Sequence, residues 1–257
     1  MAVSLDELKI RIAELKADLA FVSLAAQLRP RIGEVLNWEG SKDVVALVQR
    51  FMAEKSSRPE GLYGPLLVRL LAAFERHVRR IVAYVIDQRC SKVSKYDELA
   101  EGLGKRNIAL TGKILSAIFE PRDHLATDIK GLIENLASCR TGTTTFRLNS
   151  DAFSATVTGT SPVIIEKALK HVDIDNFWDA VGSSAALTKL LGTKGARATG
   201  IRTQERLHEL SRLRNHLAHG GDEEVVISET QLTDAIDFIS CFSDSLQGAI
   251  AKQLASM

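Results

Sequence analysis

Apolar residues recur at helical spacing along most of the chain, and two stretches show it most clearly. In the first, Leu67, Leu70, Leu71, Phe74, Val78, Ile81, Val82 and Val85 follow one another in steps of three and four, which predicts a long helix over about 66–90 opened by Pro65. The second opens at Ser228-Glu229-Thr230-Gln231. This is a capping box in which a hydroxyl and a side-chain amide satisfy the free N–H groups of a first turn, so a last helix is predicted from Ser228 close to the C-terminus. A first helix is predicted from Leu5, Leu8, Ile12, Leu15 and Leu19, with Ser4-Leu5-Asp6-Glu7 as its capping box and Arg29-Pro30-Arg31 as its stop.

Shorter helices are expected over about 41–55, 96–103, 108–119, 123–138, 162–170, 176–181 and 185–191, and a longer one over 203–218 ending at Gly220-Gly221. Ser161-Pro162 reads as an N-cap followed by proline at the first helical position. Residues 55–64, with Pro59, Gly61 and Gly64, read as a linker, and 192–200, with three glycines and two basic residues, as a mobile loop. The Thr- and Ser-rich stretch 141–161 alternates weakly and reads equally as a β-hairpin or a polar surface loop, and 224–227 as a short strand. The fold class expected is therefore mainly α, an up-and-down helical bundle with extra N-terminal helices and this insert.

Composition narrows the functions. Lys+Arg number 33 and Asp+Glu 32, so a formal charge of +1 excludes a general polyanion-coating protein and requires any nucleic-acid contact to be local. Cys90, Cys139 and Cys241 are scattered and odd in number, which argues against a disulfide framework, and no Cys/His cluster has metal spacing. The N-terminus lacks an apolar signal core, and no apolar run approaches the roughly 20 residues that span a bilayer, so a cytoplasmic protein with no membrane partner is expected.

The candidate chemistry lies in Arg212-Leu213-Arg214-Asn215-His216-Leu217-Ala218-His219-Gly220-Gly221. On a helix, Leu210, Leu213 and Leu217 share an apolar face, while Arg212, Asn215, His216 and His219 fall opposite. Asn215 and His219 are one turn apart, and an amide there can orient an imidazole. Arg214 lies at the edge of the apolar face, about 140° out of phase with His219, a placement that suits an interface about a twofold axis.

Arg-Asn-x-x-x-His-Gly before a last long helix resembles the signature of the HEPN superfamily, and Phe74-Glu75-Arg76-His77-Val78 resembles part of its first core helix. The stretch from Phe146 to Trp178, with Asp173-Ile174-Asp175-Asn176-Phe177-Trp178, is most similar to RiboL-PSP or MAE-type members. On this resemblance residues 61–257 form a HEPN-like helical domain with an insert near 141–161, and 1–60 an N-terminal helical extension.

The resemblance implies a homodimeric endoribonuclease that needs no metal or other cofactor. His219 would be the acid/base, Arg214 the phosphate clamp and Asn215 the orienting residue. Glu75, His216 and Arg212 would support them. Arg76, Arg79, Arg80, Lys194 and Arg197 are the candidate RNA contacts, although a solvated helix face is the simpler explanation of the three on the long helix. A stress, toxin–antitoxin or phage-defence setting with an antitoxin or defence-system partner is implied. The alternative is a HEPN dimer that binds RNA or protein without cutting. Gly221 stands where toxins paired with a nucleotidyltransferase resemble R-x4-H-x-Y, which speaks against that branch. His216 and His219, with Asp222 or His208, offer a weaker metal-binding reading, and Trp38 and Trp178 are expected in the core or an interface.

Overall fold

The computed structural model describes residues 2–28, 59–116, 128–219 and 225–256. Among these, every regular element is helical. In chain order they are α1 (Ala2–Leu28), a 3-10 turn (Pro59–Leu62), α2 (Tyr63–Ser91), a second 3-10 turn (Tyr96–Glu98), α3 (Glu101–Ser116), α4 (Ile129–Ser138), α5 (Ser150–Ser154), α6 (Pro162–His171), α7 (Phe177–Gly182), α8 (Ala185–Leu191), α9 (Ala196–His219) and α10 (Glu229–Ala255). The mainly α expectation holds.

The long periodic helix is the axis of the bundle. Leu70, Leu71, Phe74, Val78, Ile81, Val82, Val85 and Ile86 of α2 are fully buried, because α1, α5, α9 and α10 all pack around it. Phe74 meets Phe242 of α10 at 5.5 Å between ring centres, and Phe242 stacks against Trp178 of α7 at 5.9 Å. Burial of each such ring contributes on the order of 2–3 kcal/mol. The expected core role of Trp178 is thus met; Trp38 lies outside the described residues.

α1 runs antiparallel to both α2 and α10. Glu7 pairs with Arg80 and Asp18 with Arg69, while Lys9 pairs with Asp244 and Lys16 with Asp237. These pairs are half-exposed, and such pairs contribute about 0–1 kcal/mol each. The hold comes from Leu8, Ile12, Leu15, Leu19 and Val22, which are buried in the common core. The opposite side of α1 exposes Ile10, Phe21 and Leu24, so this helix is apolar on both faces.

Several boundaries differ from those expected. No strand forms among the described residues, so neither the β-hairpin in 141–161 nor the strand at 225–227 is present. The alternating Thr and Ser are overridden by one buried amide, Asn149. Its Nδ2 donates to Thr111 Oγ1 at 3.0 Å and to the Leu132 carbonyl at 3.1 Å. Its Oδ1 accepts from Asn135 at 2.8 Å, and its backbone N–H donates to Asn107 Oδ1 at 2.9 Å. This network ties the insert to α3 and α4, and the short α5 follows at once. At the second site Ile227 is buried before α10 with Val225 packed partly against the core, and no strand among the described residues lies beside them.

The glycine-rich loop is also shorter than expected. Only residues 192–195 separate α8 from α9, with Gly192 at φ 62° and Gly195 at φ 87°. α9 already starts at Ala196, and Gly200 sits inside it where a Cβ would come 2.9 Å from the Trp178 carbonyl oxygen. That glycine serves close packing rather than helix breaking.

α1 starts at Ala2, which leaves Ser4–Glu7 inside the helix rather than at its cap. The linker over 55–64 gives way to helix by Tyr63, so Gly64 and Pro65 lie within α2. In place of helices over 96–103 and 108–119 there is a 3-10 turn and then one continuous α3. α4 begins at Ile129, because Asp128 caps it by accepting from the Gly131 N–H. The helix expected over 41–55, Pro30 and Gly220-Gly221 lie outside the described residues.

The capping box of α10 forms as read from the sequence. Ser228 Oγ accepts from the Gln231 N–H at 3.2 Å, and Gln231 Oε1 accepts from the Ser228 N–H at 2.9 Å. Replacement of the hydroxyl, Ser228→Ala, is expected to cost about 1 kcal/mol and to lower Tm by roughly 2–4 °C. Thermal melting followed by circular dichroism measures this; an unchanged Tm would show that the cap contributes nothing.

Candidate functional site

α9 positions the candidate residues by burying one side along its length. Leu207 and Leu210 are buried, Ser211 shares a 2.8 Å hydrogen bond with Thr160, and Leu213 and Leu217 pack partly against the core. Near its end the helix comes very close to α2: a Cβ added at Gly64 would lie 3.2 Å from Leu217 Cδ2. With that side fixed, Arg212, Asn215 and His219 are exposed, and Arg214 and His216 are half-buried.

The first turns of α2 and α10 meet here as well. Tyr63 is buried to 4% exposure, and its hydroxyl donates to Glu229 Oε2 at 3.4 Å. The start of α2, the start of α10 and the last turns of α9 therefore gather at one end of the bundle. Sequence reasoning missed Tyr63 and Glu229. They are separated by most of the chain, and the only local signal is a tyrosine placed directly before a glycine at a helix start.

Within the motif, Arg214 Nη1 donates to Asn215 Oδ1 at 3.2 Å. Asn215 thus holds the guanidinium, whereas the sequence placed it as the orienting partner of His219. Glu75 differs too. Its carboxylate accepts from Arg79 Nη2 at 2.7 Å, on its own helix, so it supports Arg79 and not Arg214.

The candidate RNA contacts separate into distinct places. Arg79 is partly buried and also donates through Nε to the Val157 carbonyl at 2.9 Å, which makes it a brace between α2 and the insert. Arg80 pairs with Glu7 of α1. Arg76 remains exposed in a shallow cleft between α1 and α2, beside Arg11 and His77. Lys194, in the loop before α9, and Arg197, in its first turn, are exposed, the latter roughly 33 Å from His219 along the helix.

Among the described residues, no three His, Cys, Asp or Glu side chains gather into a group suited to a metal ion; Asp222 lies outside them. None of the described helices is long and apolar enough to cross a membrane.

A family model described as RiboL-PSP-HEPN matches residues 43–252. No curated protein and no solved structure matches the chain. The matched stretch takes in α2 to α9 and all but the last turn of α10, with Arg214, Asn215 and His219, and leaves α1 outside. An all-helical bundle with this motif near the end of its penultimate helix, matched over most of its length, belongs to the RiboL-PSP-HEPN family of the RNA-related HEPN superfamily.

Proposed function

We propose that the protein is a metal-independent endoribonuclease, active as a homodimer in which two copies of the α9 end face a shared groove. The carrying observation is that His219 is exposed in the last turn of α9, with the half-buried Arg214 just before it and no part of the motif sealed into the core. Family membership supports the link to RNA.

The chemistry follows from the two side-chain types. One His219 imidazole takes the proton of a ribose 2′-OH, and the oxygen attacks the adjacent phosphorus. The P–O5′ bond breaks, and the leaving oxygen receives a proton from the second His219, since an imidazole side chain can both accept and donate a proton. Arg214 binds the non-bridging oxygens with its planar donor fork and offsets charge as it builds. Asn215 keeps that guanidinium aimed, with Arg212 and His216 flanking it. The products are a 2′,3′-cyclic phosphate and a 5′-hydroxyl.

The setting we infer is cytoplasmic stress, toxin–antitoxin or phage defence, with an antitoxin or defence-system protein as partner. The alternative is a dimer that binds RNA or protein without cutting.

The test is cleavage of RNA in EDTA followed by analysis of the ends. Cyclic phosphate and 5′-hydroxyl termini are expected without added metal. Cleavage that needs a divalent ion, or that leaves 5′-phosphates, would overturn the mechanism. Binding with no products under any condition would establish the non-cutting module.

A further inference from the structure

We propose that α3 and α6 carry a second site for the phosphate backbone of RNA, formed by Arg106, Lys113, Lys167 and His171. The inference rests on the RNA reading above but concerns the opposite end of the bundle. Gly64, beside Leu217, and Arg89, beside the new site, are separated by roughly 37 Å along α2.

Helical spacing sets up each half of the site. Arg106 and Lys113 are two turns apart on one side of α3, and Lys167 and His171 are one turn apart on α6. The Arg106–Asp173 ion pair joins the two halves, two residues beyond His171. Burial pushes this half-buried imidazole toward its neutral form, and the charges of Lys167, Arg106 and Lys113 push the same way.

The acid that faces the cluster is already shared. Asp173, held at φ 55° just after α6, takes Arg106 on its carboxylate, and its backbone carbonyl accepts from Arg89 Nη2 at 2.9 Å. Asp175 acts on Arg89 as well. The Nε–H groups of both Arg89 and Arg106 are buried with no hydrogen-bond partner among the described residues. The carboxylates of this corner, Asp173 and Asp175, thus face Arg106 and Arg89, and neither forms an ion pair with Lys113 or Lys167.

Other lysines of these helices differ. Lys105 is paired with Glu101 and Lys170 with Glu166. Lys113 and Lys167 are exposed and form no ion pair among the described residues.

Positive charge concentrated on one surface of a chain with net charge +1 fits a polyanion with spaced phosphates. Point-charge lysines hold such a backbone without reading its sequence. A site this far from His219 adds affinity and register for a long RNA and leaves the chemical step alone.

Fluorescence anisotropy tests this with a labelled single strand of about 30 nucleotides and full-length protein carrying His219→Ala, so that the RNA stays intact, over a salt series. Adding Lys113→Ala and Lys167→Ala is expected to weaken binding about tenfold and to reduce the log–log salt slope by roughly 1.4. Adding Lys9→Ala and Lys189→Ala, two exposed lysines on α1 and α8, should change neither. Wild-type affinity and slope in the first variant, an equal loss in the second, or no RNA binding at all would overturn the site.

Cleavage by the protein with an intact motif is read separately in EDTA. Cutting with patch-independent binding removes the site and leaves the nuclease. Patch-dependent binding without cutting removes the nuclease and leaves the site.

Discussion

His219→Ala is expected to slow RNA cleavage by about 10²–10⁴-fold, the range supplied by a positioned general acid or base. The loss should fall on the rate of a single turnover with saturating enzyme, because the imidazole moves protons and contributes little to holding the RNA. The fold should be untouched. His219 is exposed in the last turn of α9, and none of the buried core depends on it. Arg214→Ala is expected to be as damaging, and Arg214→Lys to recover only part of the rate, since an ammonium cannot reproduce a two-pronged contact with phosphate. Single-turnover rates, measured with the Tm of each variant, check this. Wild-type cutting by the His219→Ala protein would remove this residue from the reaction altogether.

Gly182→Ala should produce the largest loss of stability from a small change. Gly182 ends α7 against the first turn of α9. A Cβ there would overlap the carbonyl oxygen of Ala196 and come 3.0 Å from the Gly200 amide nitrogen. The obstruction is backbone on both sides, so no rotamer change relieves it. The expected cost is about 3 kcal/mol, at the upper end for overpacking, or a fall in Tm of roughly 6–12 °C. α9 carries the motif, so cleavage should fall as well, although no group that touches RNA has changed. A Tm within about 1 °C of wild type would mean that the α7–α9 contact opens freely.

The parts of this fold that were legible in the sequence are those written in local periodicity. α2 announces itself because its apolar residues repeat over many turns, and α10 because its first turn carries a capping box. The rest depended on partners far away along the chain. Asn149 looks like a loop residue until Asn107, Thr111, Leu132 and Asn135 are seen around it. Gly200 reads as a helix breaker until the Trp178 carbonyl is found against it.

The candidate site divides in the same way. Arg214, Asn215 and His219 are local, so the exposure of Asn215 and His219 and the half-buried edge position of Arg214 followed from the helical wheel. Arg79 and Arg80 read as a basic stripe, yet Glu75, Val157 and Glu7 hold them. Their partners include residues at least seventy positions away. Arg106, Lys113, Lys167 and His171 show the reverse: unremarked in the sequence, they become a cluster only when α3 and α6 are brought together.

The N-terminal helix lies beyond the 43–252 family match, yet five of its side chains are seated in the common interior. Any relative without such a segment has to shield the same strip of α2 and α10 otherwise, with polar replacements, a different stretch of chain or a neighbouring subunit. What kinship preserves and what must be translated together for the polypeptide to settle are consequently not the same length, and the second is the longer.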